Sequence, residues 1–354
     1  MKSIFHLITT INRGGAENQL LVLANEQRKQ GFEVHVVYLK GEPELKAEFE
    51  LSGVVVHSEL ATRSPIMQPI YFRNLVKNKN AIVHAHLPRA ELVALCTFAR
   101  FKFINSRHNA EPFFPGAPKM LSNILSRIVC ARSSMTIAIS NAVKQYLLKR
   151  GELTKSARIE VVLYGYQPKI NKNLLSENVE KSKHRLGTIS RLTDQKDIPT
   201  MLHAFAEYKS NYPTSSLSIL GSGPLESDLK HLANQLGVAD SVYFLGRSSF
   251  VYEFLDGIDV FILTSKYEGF GMVLLEAIDA GVPVVAPNNS AIPEVLGSDF
   301  PGLCSTGASL EFCQRINELN NPYYKIKVLE AQAKRLKLFE AEPMCRKITT
   351  IYAL

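Results

Sequence analysis

Residues 268–286 read EGFGMVLLEAIDAGVPVVA. Four things follow one another in this run: a carboxylate, a glycine turn, an apolar helix and a strand. The strand Val260–Leu263 precedes it, Gly281 and Pro283 stop the helix, and Val284–Ala286 reads as the next strand. Strand, helix and strand in this order make a parallel crossover. Gly269 and Gly271 make a tight turn with no side chain in a ligand's way. Met272 then opens the helix around Phe270–Gly271, and its free amides face the strand ends as an anion site suited to a diphosphate. Glu268 stands before the helix and Glu276 about a turn inside it. Carboxylates beside a phosphate site do not bind phosphate, but they are well placed to accept hydrogen bonds from sugar hydroxyls. A bare E-x7-E is common by chance, and its weight comes from the turn it frames. The bland alternative makes Glu276 a solvated helix charge, although Leu274, Leu275, Ala277 and Ile278 leave it little polar company.

The same grammar runs through the rest of the chain. Strands are expected at 3–9, 33–39, 54–57, 81–85, 103–106, 136–139 and 159–163, with helical segments between most of them. Residues 166–183, QPKINKNLLSENVEKSKH, are polar and read as a linker. The pattern then restarts with strands at 186–190, 216–220, 242–245 and 260–263 and helices at 198–208 and 225–236. The expected fold is α/β: two Rossmann-like, doubly wound parallel-sheet domains, 1–165 and 184–354, facing a central cleft, with the last helix free to pack back on the first. Such sheets bind ligands beyond the carboxyl ends of their strands.

Three further segments carry chemistry. GTISRLTDQKD (187–197) ends a buried strand in Arg191 and places Lys196 in the loop beyond; a planar fork and a point charge both suit phosphate oxygens. RGGAE (13–17) sets Gly14 and Gly15 at a helix start but lacks the full G-x-G-x-x-G pattern of dinucleotide sites. NSRHNAE (105–111) puts His108 where a strand meets a loop; it could serve a sugar hydroxyl or be a structural hydrogen-bonder. His84 and His86 share one face of a strand, with no third ligand evident, and read as cleft lining rather than a metal pair. No D-x-D clamp and no P-loop run occurs.

Composition narrows the class. The chain has 354 residues, 46% hydrophobic and 21% charged, enough for large cores and unlike a disordered chain. No apolar run approaches the roughly 18 residues of a membrane span, and the start MKSIFHLITTI reads as a first strand, so a cytoplasmic protein is expected. Five cysteines at wide spacings suggest buried free thiols rather than a disulfide framework or a zinc site. Residues 1–165 carry 22 Lys/Arg against 12 Asp/Glu, while 166–354 carry 19 against 21. The basic first half points to a polyanionic neighbour, nucleic acid or an anionic membrane, or to mere solubility. No aromatic–basic platform supports nucleic acid.

At these motifs the chain resembles the retaining glycosyltransferases of family four, which have the two-domain GT-B fold. The resemblance runs from RGGAE through SRHN, AISNAVKQYL, SRLTDQKDIPTMLHAF, ILGSGP and FLGR to the 268–286 block. It implies that the C-terminal domain holds a nucleotide-sugar donor and the N-terminal domain an acceptor. Arg191 and Lys196 would hold the diphosphate, the Phe270–Met272 backbone phosphate and sugar, and Glu276 the ribose. Glu268 would contact the transferred sugar, the Gly246–Arg247 backbone the base, Gly15 the diphosphate from the other domain, and His108 the donor sugar. No metal or other cofactor is implied, because Arg191, Lys196 and the helix amides can stabilise the leaving group. A same-face attack assisted by the leaving phosphate would retain configuration. The chain departs from the family pattern at Tyr164, where an asparagine is usual, and at NNSAIPEV (288–295), where two glycines usually precede Ile-Pro-Glu. The expectation is transfer from a nucleotide sugar, a UDP-sugar, to a glycan or lipid-linked acceptor in bacterial polysaccharide assembly. The rivals are a nucleotide-sugar epimerase of the same fold and a non-catalytic partner subunit. Residues 118–133, PKMLSNILSRIVCARS, either lie on the inner face of the cytoplasmic membrane or pack on the sheet as an ordinary amphipathic helix.

Overall fold

Apolar strands alternating with helices fold into two parallel sheets. The computed structural model describes residues 3–77, 80–114, 116–154, 157–169 and 184–354. One unit comprises Met1–Gln167 and Phe339–Leu354, the other Pro168–Leu338. The expected linker 166–183 lies mostly outside the described residues, which resume at His184.

The first unit runs β1 (Ser3–Ile8), α1 (Gly15–Lys29), β2 (Glu33–Tyr38), α2 (Lys46–Leu51), β3 (Val55–His57), α3 (Gln68–Val76) and β4 (Ala81–His86). It continues through α4 (Pro88–Leu95), β5 (Lys102–Arg107), α5 (Lys119–Arg132), β6 (Met135–Ala138), α6 (Asn141–Arg150) and β7 (Ile159–Val161). Its sheet order is β3-β2-β1-β4-β5-β6-β7. The second unit runs β8 (Arg185–Ile189), α7 (Ile198–Asn211), β9 (Ser216–Leu220), α8 (Glu226–Gln235), β10 (Val242–Gly246), α9 (Val251–Asp256) and β11 (Val260–Ile262). Then come α10 (Met272–Asp279), β12 (Val284–Pro287), α11 (Ile292–Leu296), β13 (Leu303–Cys304), α12 (Ser309–Glu318) and α13 (Pro322–Leu336). Its sheet order is β10-β9-β8-β11-β12-β13. The last helix, α14 (Ala341–Ala353), belongs to the first unit. Every strand pair in the two sheets is parallel.

Parallel strands are buried on both faces, hence their nearly unbroken apolar reading. One face of the first sheet packs Phe5, Val37, Val83 and Phe103 under α3, α4 and Val129 of α5. Part of the other packs Ile4, Ile82, Ile104 and Ile137 against Met344, Ile348, Ile351 and Tyr352 of α14. Each such large side chain contributes about 1.5–3 kcal/mol by burial.

Three features go beyond the sequence reading or against it. The inner face of α1 is partly polar: Gln19, Glu26 and Gln27 are buried beside Leu20 and Leu23. In α5 the inward residues are Ser122, Ser126, Val129 and Cys130, whereas Met120, Leu121, Ile124 and Ile128 are exposed. The serines face inward because they bond there: Ser126 accepts from Arg107 at 3.1 Å and Ser122 from the Phe114 amide at 3.1 Å. Among the cysteines, Cys130, Cys304, Cys313 and Cys345 are buried, but Cys96 is exposed just past the end of α4.

Candidate functional site

The strand order of the second unit reverses between β8 and β11. That is the switch point at which open α/β sheets bind ligands. Arg191 and Lys196 follow β8, and Glu268 follows β11. The structure brings Lys196 and Glu268 together: Lys196 Nζ donates to Glu268 Oε1 at 2.5 Å. Ser265 Oγ donates to the same oxygen at 2.7 Å, and the Glu268 amide donates to Ser290 Oγ at 2.8 Å. Arg191 is exposed and donates to Gln195 Oε1 at 3.1 Å. Gln195 in turn ties the two loops, donating to the Tyr267 carbonyl and accepting from the Lys266 amide.

Gly271 caps α10 at φ +92°, a left-handed conformation that favours glycine, and Phe270 beside it is buried. Met272 starts the helix, and Gly269 completes the turn. Glu276 is half-buried on α10. Burial raises its carboxyl pKa, and the Lys169 ammonium partly opposes the shift. Gly246 ends β10 at φ +69°, accepting from the Gly221 amide at 2.7 Å, and Arg247 beyond it is exposed. These two lie at the end of a strand two places from β8 in the sheet order.

Sequence reasoning missed the residues that orient this constellation. Ser265 and Ser290 hold Glu268 from two sides. Ser290 adopts φ +45°, and it stands in the segment where the family pattern has glycines. The departure noted in the sequence was therefore a usable signal. Gly221 and Gly223 let their loop lie directly on the β8 end: a Cβ would sit 1.9 Å from the Ser190 carbonyl oxygen and 2.3 Å from that of Leu192.

In the first unit, Gly14 caps α1, and a Cβ there would fall 2.5 Å from the Glu17 carboxylate. Gly15 meets nothing within 4 Å and has no positive φ, so packing within the chain does not demand a glycine there. His108 directly follows β5 and is buried. Its Nδ1 is bonded to the Tyr164 hydroxyl, and its Nε2 meets His86 Nδ1 at 3.0 Å. His86 Nε2 meets His6 Nδ1 at 3.0 Å, and His6 Nε2 meets Gln27 Oε1 at 2.7 Å. Gln27 Nε2 donates to Tyr352 Oη at 3.3 Å, which lies 2.6 Å from His84 Nδ1; His84 Nε2 meets Ser106 Oγ at 2.7 Å.

This corrects the reading of His84 and His86. They are not an isolated pair lining a cleft but members of a buried chain completed by His6 and His108. The register explains it: His6 pairs with His84 across β1 and β4, and His86 with Ser106 across β4 and β5. Burial lowers the pKa of His108 to about 3, with Arg107 adding to the effect, and that of His6 to about 4. Burial also holds His84 and His86 well below the usual histidine range and the Tyr164 phenol well above 10. The nitrogens of His6, His84 and His86 lie within 4.8 Å of one another, close enough to hold a metal ion. Each of their ring nitrogens is already in a hydrogen bond, so a cation would have to displace the chain. A cavity of about 20 Å³, bordered by Gln19, His84, His86, His108 and Tyr164, has room for one water. Leu87, straight after His86, holds φ 73° and ψ 148°, a region that is nearly glycine-only and costs about 1–3 kcal/mol.

Two doubly wound units, each with candidate residues beyond its strand ends, define the GT-B class of transferase. The glycosyltransferase family 4 model matches residues 13–168 and the glycosyl transferases group 1 model residues 170–334; the chain belongs to this family of glycosyltransferases. It is similar to N-acetyl-alpha-D-glucosaminyl L-malate synthase of Bacillus anthracis, 26% identical over 290 residues, covering 77% of this chain and 74% of that one. It is also similar to the lipopolysaccharide core biosynthesis mannosyltransferase LpsB of Rhizobium meliloti, 27% identical over 192 residues, 50% of this chain and 52% of that one. Among solved structures, Anabaena HepE in complex with UDP-glucose superposes over 100% of both chains with a TM-score of 0.83 at 21% identity. No described helix is long and apolar enough to cross a membrane.

Proposed function

We propose that this glycosyltransferase is a retaining, metal-independent enzyme that moves a sugar from a UDP-sugar to a glycan or lipid-linked acceptor in bacterial polysaccharide assembly. The observation that carries the reading is the Lys196–Glu268 pair at the β8/β11 switch point, with Arg191 and the α10 turn on the same loops. Two cations and a helix start suit the diphosphate, and the carboxylates of Glu268 and Glu276 suit sugar hydroxyls. The Gly246–Arg247 backbone is assigned to the base. In the first unit, His108 and the Gly14–Gly15 turn are assigned to donor contacts. As the bond from the anomeric carbon to phosphate breaks, Arg191, Lys196 and the α10 amides stabilise the departing charge. The acceptor oxygen bonds to that carbon on the same face, and its proton passes to a leaving phosphate oxygen. The UDP-glucose complex of HepE and the lipopolysaccharide role of LpsB support the choice of donor and acceptor class.

The test is calorimetric titration with UDP, GDP, ADP and CDP in EDTA. UDP is expected to bind. Selective GDP binding would move the donor to a GDP-sugar, and no binding to any of the four would overturn the donor reading. Incubating the donor alone separates the epimerase rival, which would convert it with no acceptor present.

The exposed Met120, Leu121, Ile124 and Ile128 on α5, interspersed with Lys119, Arg127 and Arg132, support a peripheral contact with an anionic cytoplasmic membrane surface. Co-sedimentation with phosphatidylglycerol vesicles should fall at least severalfold in Ile124→Glu. Equal sedimentation of both proteins would remove the membrane from the reading.

A further inference from the structure

We propose that Gln27, His6 and His86 are positioning residues that fix the tautomer of His108, leaving its Nδ1 a hydrogen-bond acceptor, so that a group served by that nitrogen must donate a hydrogen. The inference rests on the reading above in one respect, that His108 takes part in transfer.

Donors and acceptors must match along the chain. A neutral imidazole has one N–H and one lone pair. Burial disfavours the charged form of His6, His86 and His108, so each is neutral at ordinary pH. The Gln27 carbonyl oxygen can only accept, so His6 Nε2 carries the hydrogen. His6 Nδ1 is then a lone pair and must receive the His86 Nε2 hydrogen. His86 Nδ1 is likewise a lone pair and receives the His108 Nε2 hydrogen. That leaves His108 Nδ1 as the acceptor of the Tyr164 hydroxyl, and the phenol keeps its proton to donate.

The far end runs in the same sense. Gln27 Nε2 donates to Tyr352 Oη, whose hydrogen goes to His84 Nδ1, and His84 Nε2 donates to Ser106 Oγ. Turning the Gln27 amide over would reverse each bond and make His108 Nδ1 a donor. The selector is thus an amide on α1, three hydrogen bonds away from His108. The same chain occupies both ring nitrogens of His108, so a sugar hydroxyl reaches Nδ1 only by replacing the Tyr164 hydroxyl, itself a hydrogen donor. A substituent that only accepts, such as a carbonyl or fluorine, has no place there.

The experiment is nitrogen-15 NMR of histidine-labelled full-length protein, which distinguishes the two neutral tautomers and the imidazolium. His6, His86 and His108 are expected as Nε2–H tautomers. Gln27→Leu removes the anchor, and Tyr352→Phe removes the other partner of the amide while keeping the packing. In both variants His108 is expected to become a mixture of tautomers. With the donor identified by calorimetry, kcat should fall about tenfold while its KM stays within twofold. An Nδ1–H His108 in the wild type, or unchanged spectra in both variants, overturns the proposal. Shifted tautomers with unchanged kcat overturn it as well, by removing His108 from transfer. If the wild type turns over no nucleotide sugar, the functional reading fails, whereas the tautomer assignment stands or falls on the spectra.

Discussion

Lys196 and Glu268 show how much a single pairing can carry. The pair is largely buried, with 13% and 8% of the two side chains exposed. Lys196→Met would leave a carboxylate with Ser265 as its remaining side-chain donor at that oxygen, at a cost of about 1–3 kcal/mol in stability. Urea denaturation reads that cost, and an unchanged midpoint would mean the pair contributes little. Glu276 is a different case, because burial already disfavours its charged form. Glu276→Ala is expected to weaken nucleotide binding by roughly 1.5–3 kcal/mol through lost charge-assisted hydrogen bonds. Unchanged affinity in titration would take Glu276 out of the ribose role. The loop positions of Arg191, Lys196 and Glu268 were legible in the sequence because each depends on a strand end a few residues away. Ser290 and the histidine chain were not, because they depend on partners brought close by folding. His6 and His86 are 80 residues apart, and their contact needs the strand register.

Among the elements, α6 displays its start and stop openly. Ser140 Oγ accepts from the Val143 amide at 3.0 Å, and Gly151 closes the helix at φ +70°. Ser140→Ala should cost about 0.5–2 kcal/mol, read as a lower melting temperature; no change would mean another group takes over the cap. Helix α1 was expected only as a helical segment between two strands. Leu20, Leu23 and Ala24 face inward, yet so do Gln19, Glu26 and Gln27, which hydrophobic periodicity counts as surface. They face inward because that side carries buried hydrogen-bonding groups: Gln27 meets His6, and Glu26 accepts from Gln167 at 3.0 Å. Most strands were placed to within a residue or two, since buried parallel strands read as apolar runs bounded by turns. After β12 only the last helix was anticipated: β13 has two residues and α11 five, too short to show a period.

For the molecule as a whole, the histidine chain sets a pH limit. Folded pKa values near 4 for His6 and near 3 for His108, with His84 and His86 also lowered, lie below the unfolded value of 6.5. Their contribution to stability is present above pH 6.5 and is lost as pH falls towards 3–4, because the unfolded chain takes up protons first. Glu91 works in the opposite sense. Buried beside Arg107 at 3.0 Å, it has its pKa raised to about 7, so its contribution is present below about 4.5 and is lost as pH rises through 7. The melting temperature should therefore drop between pH 6.5 and 5. The drop should be steeper in Glu91→Gln, which lacks the compensating proton uptake. A flat profile in both proteins would mean that these histidines titrate as they do in water.

The first unit is discontinuous in sequence: Phe339–Leu354 complete it after the whole of Pro168–Leu338. Tyr352, which is hydrogen-bonded to Gln27, is among those closing residues. On the ribosome, the second unit is therefore fully synthesised before the first possesses all of its parts. Domains generally fold as units, N-terminal first, during synthesis. Here that order cannot hold to completion: the N-terminal sheet has to wait, with the surface that receives α14 still uncovered, until the last helix emerges. A fragment cut at Gln167 would be held permanently at that waiting stage.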